Sequence, residues 1–213
     1  MHVETAAWTR AALAEIDLPP GSRTLDIGSS TLHYRTVEQP HIEERVMAPL
    51  RARGVEIVHL DAKDAPGVDV VYDLERAGRP VGEHALVLVA SVLHYLRDPG
   101  PAADLAVRSL APGGHLIAHH PESARRSYDP VDHGRRLSPD ELARMFERRG
   151  LERVRAESVR IDDPLYYRGL VSRPSWTRAG RAWLPLPGVS EQARRAVPSL
   201  RWRQSCVVLR SPR

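Results

Sequence analysis

Five short apolar runs constrain this chain most, because each closes on an acid, a small residue or a histidine. Arg23-Thr24-Leu25-Asp26-Ile27-Gly28 runs into the small-residue turn Ser29-Ser30-Thr31. Val55–Leu60 ends at Asp61, Val68–Tyr72 at Asp73, Ala85–Ala90 at Ser91, and His115–His119 at His120. The unbroken apolar run Ala85–Ala90 is the mark of a strand covered on both faces. Helical spacing separates the runs. Residues 3–16 read as an amphipathic helix stopped by Pro19-Pro20. His41–Arg53 follows an extra loop, carries Ile42, Val46, Met47 and Leu50 on one face, and is ended by Gly54. A third helix spans about 101–110, before the turn Pro112-Gly113-Gly114. A fourth opens with Ser138-Pro139-Asp140-Glu141, a capping box with Pro at the first position, and ends at Gly150. Leu151–Ile161 and Ser205–Arg210 complete the strands. Such alternation predicts an α/β, Rossmann-like, doubly wound fold with a mostly parallel sheet. Right-handed crossovers then collect the carboxyl ends of the strands on one edge, where open α/β sheets bind ligands.

At 213 residues and 42% hydrophobic, the chain has material for one domain with a core. It divides into an N-terminal helix at 1–19, a core at 20–161, a Pro- and aromatic-rich flap insertion at 162–204, and a last strand at 205–213. No apolar run approaches the roughly 20 residues needed to span a bilayer. The opening MHVETAAWTR holds acid and Trp where a secretory signal needs apolar residues, so a cytoplasmic setting is expected. The single cysteine, Cys206, excludes an internal disulfide framework and a cysteine-based zinc site. Lys63 is the sole lysine among 31 basic residues. Residues 1–161 hold 21 basic and 24 acidic residues, whereas 162–213 hold 10 Arg against Asp162, Asp163 and Glu191. Arg makes forked contacts to phosphate and carboxylate, so the charge speaks about an anionic partner at the C-terminal segment.

The residues gathered at the predicted edge suit a nucleoside. Small side chains after the first strand let the backbone approach a ligand. Asp61 is placed to accept both ribose hydroxyls, and Asp73 to meet an adenine amino group. Either acid also suits a turn or helix cap. The dinucleotide fingerprint G-x-G-x-x-G is absent, as residues 28–33 read Gly-Ser-Ser-Thr-Leu-His, and no phosphate-binding G-x-x-x-x-G-K-[ST] loop occurs.

The blocks LDIGSS (25–30), VHLDA (58–62), GVDVVYDLE (67–75), LVLVASVLHYLRDP (86–99), LAPGGHLIAHHP (110–121) and RLSPDELARMFERRGLERV (136–154) together resemble a class I S-adenosylmethionine-dependent methyltransferase. The resemblance covers residues 20–160 and the last strand. It implies a seven-stranded sheet with an antiparallel last strand, and S-adenosyl-L-methionine as cofactor. It places Asp26, Gly28, Ser29 and Ser30 on the loop that holds the methionine part, with Tyr34 and Arg35 behind it. Arg35 is then set to pair with the cofactor carboxylate. Asp61 with Ala62 falls on the ribose step, Asp73 with Leu74 on the adenine step, and Ser91 to His94 on the strand end bordering methyl transfer. The sequence departs from the family where Ser30 and Leu32 replace its second and third glycines, and Leu32 needs a different local path.

Methyl transfer asks mainly for alignment and, where needed, removal of a proton. Neutral histidine is the natural base near pH 7, which makes His119, His120 and His94 the candidates, with His133 a further one. The adjacent pair His119-His120 has no third ligand at helical or hairpin spacing, so no metal is expected. The leading expectation is methyl transfer to O or N of a small-molecule acceptor, with the charge of the flap hinting at an anionic one, on a monomer or homodimer. An RNA or protein methyltransferase is a second reading, although the scattered Arg form no discrete nucleic-acid motif. A non-catalytic relative that binds cofactor is a third.

Overall fold

Seven strands form one sheet in the order β3-β2-β1-β4-β5-β7-β6. They are β1 (Arg23–Ile27), β2 (Glu56–Asp61), β3 (Val70–Val71), β4 (His84–Ala90), β5 (Leu110–Pro121), β6 (Glu152–Ile161) and β7 (Trp202–Arg210). The computed structural model describes residues 1–76, 78–123, 133–161 and 202–213. Strands β3, β2, β1, β4 and β5 are parallel, and β7 runs antiparallel between β5 and β6. This is the Rossmann-like sheet with an antiparallel last strand that the sequence predicts. Helices α1 (Val3–Glu15), α2 (Pro40–Ile42), α3 (Ala48–Ala52), α4 (Gly100–Arg108) and α5 (Pro139–Glu147) cover it. No helix among the described residues is long and apolar enough to cross a membrane.

Side-chain alternation explains why β4 reads as uniformly apolar. Val87 and Val89 face one core with Leu25, Ile27, Leu116, Ala118 and Phe146. Leu86 and Leu88 face a second core with Leu13, Met47, Leu50, Ile117 and Val208. Helices α4 and α5 close the first side, and α1 with the α2–α3 region closes the second. A strand buried on both faces has no polar positions to spare.

Helix α5 begins as expected: Ser138 Oγ accepts from Glu141 N at 3.3 Å, and Ser138 N donates to Glu141 Oε2 at 2.8 Å. Three expectations are corrected. The Pro112-Gly113-Gly114 turn lies inside β5, whose register against β4 shifts between His84 and Leu86. A Cβ on Gly114 would lie 2.9 Å from the Ala111 carbonyl and 3.1 Å from that of His84, so the bulge needs glycine there. The loop expected before His41 is helical instead, with π-helical turns at Tyr34–Glu38 and Glu43–Met47 flanking α2. The last strand starts at Trp202 rather than Ser205, so residues 202–204 of the expected flap are strand. The rest of that flap, 162–201, lies outside the described residues.

The first helix is fastened to the far edge of the sheet. Trp8 Nε1 donates to Glu157 Oε2 at 2.6 Å. Arg155 grips the same carboxylate through Nε at 2.9 Å and lies 5.3 Å from the Trp8 ring centre. This clasp holds α1 across the carboxyl end of β5.

Candidate active site

The turn after β1 is built against its neighbours by backbone bonds. Gly28 N and Ser29 N both donate to Leu60 O, at 2.8 and 3.1 Å. Gly28 has φ +74°, and a Cβ there would fall 2.6 Å from Val92 Cβ in the loop after β4. A side chain would therefore meet both strain and a clash. Ser30 stands where the family has its second glycine, yet it takes φ +57°. The left-handed conformation costs a serine on the order of 1 kcal/mol. Its N–H donates to Asp61 Oδ2 at 2.8 Å, which offsets that cost.

Leu32 is accommodated by moving the glycine elsewhere. Its N–H donates to Pro66 O at 2.9 Å, and its side chain is exposed. Gly67, at φ +83°, would bring a Cβ within 2.6 Å of Leu32 Cβ. The close approach that a third glycine serves in the family falls here on Gly67, in another loop.

Arg35 sits beneath this turn and is 1% exposed. Its Nη1 donates to Ser29 O at 3.1 Å and Ser30 O at 2.7 Å, and its Nη2 to Gly67 O at 2.8 Å. Burial pulls the guanidinium pKa below its usual value, and the nearby Asp26 carboxylate opposes that shift. The guanidinium thus clamps two loops together through their carbonyls. Nε of the same guanidinium is buried without a hydrogen-bond partner. Tyr34, half-buried, packs on the α1-side core; burial, helped by Tyr95 and Glu38, pushes its phenol up to about 12.

Asp61 closes β2 at the turn. Its Oδ1 accepts from Lys63 N at 3.1 Å across the exposed Ala62, and Lys63 Nζ reaches Ser30 Oγ at 3.0 Å. Asp73 behaves as a turn acid: Oδ1 accepts from Glu75 N at 3.0 Å, and Oδ2 pairs with Arg76 Nε at 3.0 Å. Leu74 beside it is buried in the core. Asp26 is 4% exposed and bound to His59, whose Nδ1 lies 3.0 Å from its Oδ2. Sequence reasoning missed His59, Gly67 and Lys63. His59 was findable, because it stands directly opposite Asp26 in the parallel register.

The histidines divide between the two faces of the sheet, since neighbours in a strand point oppositely. His119 lies on the α1 side with Ile117; His120 faces the other side, its ring 5.8 Å from that of His94. His94 also stacks on Tyr95, centroids 3.9 Å apart, and its carbonyl accepts from His133 N. Ser91, between them at the end of β4, has φ +55° and donates its N–H to His119 O at 3.0 Å.

Tautomers follow from the partners. His120 Nδ1 lies 2.9 Å from the Pro121 carbonyl, which only accepts, so Nδ1 carries the proton. His119 Nε2 lies 2.9 Å from Thr9 Oγ1, whose own proton goes to Thr5 O at 2.8 Å. Nε2 is therefore the donor and Nδ1 a bare acceptor, buried without a partner. Burial pushes the His119 pKa down to about 3. A group so weakly basic is a poor proton acceptor at neutral pH. It follows that between the ordinary value of 6.5 and about 3 the unfolded chain binds a proton here that the folded chain does not. Stability then falls as pH drops through that window, by up to about 1.4 kcal/mol per pH unit from this group. Denaturant titrations from neutral pH to about pH 4 should show a shallower loss in His119→Gln, and identical slopes would overturn the assignment.

Among the described residues, no group of three or more His, Cys, Asp or Glu side chains is arranged to hold a metal ion. No protein-family model matches the chain, and no curated protein matches it by sequence. Solved structures do resemble it. The YcgJ protein from Bacillus subtilis superposes with a TM-score of 0.63 at 14% identity, covering 100% of both chains. The 1,6-didemethyltoxoflavin-N1-methyltransferase of Burkholderia thailandensis, crystallised with S-adenosylhomocysteine, gives 0.55 at 14% identity, covering 99% of this chain and 78% of that one. The [4+2]-cyclase SpnF gives 0.61 at 16% identity, covering 97% and 80%. With the sheet order and the antiparallel β7, these likenesses establish that the chain has the fold of class I S-adenosylmethionine-dependent methyltransferases.

Proposed function

We propose that this protein is an S-adenosylmethionine-dependent methyltransferase acting on an O or N atom of a small molecule. One observation carries the reading: the Gly28–Ser30 turn is held tight against β2 with the Asp61 carboxylate at its rim. That arrangement fits the cofactor, because a side chain at Gly28 would fill the cradle and Asp61 retains acceptor capacity for ribose hydroxyls. Asp26 would face the amino-acid end, with Gly28, Ser29 and Ser30 offering the backbone. Tyr34, Ala62, Asp73, Leu74 and Ser91 surround the remaining path. When bound, the cofactor supplies a methyl group already activated on a sulfonium.

The chain's own task is then to hold the acceptor in line and take its proton. His94 and His120, together on one face, are the proposed proton acceptors. His119, neutral with a bare Nδ1, serves as a hydrogen-bond acceptor that orients a donor group. Support for a small-molecule acceptor comes from the Burkholderia neighbour, whose structure holds 1,6-didemethyltoxoflavin. An anionic acceptor rests on the charge of residues 162–213, most of which lie outside the described residues. SpnF shows that the fold also serves a cyclase, which makes binding the first quantity to test. Calorimetry is expected to show S-adenosylhomocysteine binding with a micromolar dissociation constant. Absence of heat at millimolar ligand would overturn the proposal.

A further inference from the structure

We infer that His59 is a positioning residue for the amino-acid end of the cofactor: it holds the Asp26 carboxylate so that one oxygen stays directed to the cofactor's α-ammonium. The inference rests on the methyltransferase reading above. Asp26 and His59 stand directly opposite each other on the parallel strands β1 and β2. Their side chains are 5% and 8% exposed, and Nδ1 lies 3.0 Å from Oδ2. A carboxylate this buried is costly unless it is paired, and the imidazole is its partner within the protein. An ionised carboxylate only accepts, so the His59 proton sits on Nδ1.

The backbone of His59 is fixed at the same time. Its N–H donates to Asp69 Oδ2 and its carbonyl accepts from Asp69 N, both at 2.8 Å. The imidazole therefore has little freedom to leave Asp26. With Oδ2 committed, no hydrogen bond from the described residues reaches Oδ1. Arg35, whose guanidinium feels the Asp26 charge, spends both its Nη atoms on three carbonyls. Asp26 lies two residues before Gly28, at the carboxyl edge where the cofactor's amino-acid end is expected. The Met1 ammonium and the Arg35 guanidinium act on Asp26 through their charge without a hydrogen bond to it, which leaves Oδ1 open to a donor from the ligand.

A His–Asp pair that merely stitched β1 to β2 would matter equally for any nucleoside ligand. Two ligands separate these roles: S-adenosylhomocysteine carries the α-ammonium, and 5′-methylthioadenosine lacks the whole amino-acid part. Calorimetry on His59→Leu is expected to show at least about a tenfold loss of affinity for S-adenosylhomocysteine, as for a lost hydrogen bond to a charged group. Affinity for 5′-methylthioadenosine should stay within about twofold of wild type. His59→Asn keeps a donor near Oδ2 and should recover most of the loss. Should His59→Leu fail to fold, His59→Gln, with its donor one methylene further out, is expected to show the same selective loss. Equal losses for both ligands, or unchanged S-adenosylhomocysteine affinity, would overturn the role of His59 alone. Wild-type protein that binds neither ligand would overturn the methyltransferase reading and this inference with it.

Discussion

Asp61→Ala is expected to lower the affinity for S-adenosylhomocysteine by about 100-fold or more. The carboxylate is proposed to accept two ribose hydroxyls, and hydrogen bonds to a charged group are worth about 1.5–3 kcal/mol each. Three kcal/mol corresponds to roughly two decades in dissociation constant. The same carboxylate accepts from Ser30 N and Lys63 N, so its removal also loosens the turn that carries the cofactor. Asp61→Asn separates the two effects. Its carbonyl oxygen can still accept from Ser30 N, but its amide then points a donor at Lys63 N–H. Calorimetry on both variants should find the asparagine protein folded like wild type and still weakened severalfold. Wild-type affinity in Asp61→Ala would show that the ligand does not sit at the end of β2.

Arg35→Met is expected to cost about 3 kcal/mol of stability and to remove measurable cofactor binding. Methionine fills much of the volume but takes the guanidinium donors from three carbonyls, of Ser29, Ser30 and Gly67, of which Ser30 O keeps only Ser29 Oγ at 3.1 Å. Each unmet buried acceptor costs about 1–3 kcal/mol, part of which the chain recovers by relaxing. Relaxation here means release of the Ser29–Ser30 turn from Gly67. Arg35→Lys is the informative companion, because a single ammonium cannot reach both loops as a planar fork does. Urea denaturation should place Arg35→Lys between wild type and Arg35→Met. A methionine variant as stable as wild type would mean that the two loops hold without the brace.

The strands were readable because burial leaves its record in side-chain type. Leu86 to Val89 pack alternately on two cores, so all four positions are apolar. The capping box at Ser138 was readable because both its bonds run between near neighbours. The bulge at Gly113-Gly114 was not, since the same glycines serve a turn equally well and only the approach of the His84 carbonyl decides. The π-helical turn at Tyr34–Glu38 has no pattern of its own, and Pro40 behind it reads as a helix start. At the site, the order of Asp26, Gly28 and Asp61 along the strand ends was legible. The work of Arg35 was not, because arginine next to a glycine turn suggests a ligand, and its carbonyl partners come together only in three dimensions. The split of His119 from His120 required nothing beyond strand parity.

The clasp between Trp8 and Glu157 joins residues 149 positions apart, so it bears on the order in which the chain can assemble. During synthesis α1 leaves the ribosome ahead of all seven strands, yet β6, to which the clasp ties it, is made after five of them. Its apolar face, with Ala6, Ala12 and Leu13, shares a core with Ile42, Met47 and Leu50, and that seat is completed when β6 and β7, with Val208, join the sheet. Contacts so distant in sequence form late, because a long loop must close before they repay anything. The helix that lies across the end of β5 is thus translated before the sheet and is among the last of these elements to settle. Until it settles, the second core stays open to solvent, and the nascent protein passes through a stage in which its exposed apolar surface is a target for chaperones and for its own neighbours.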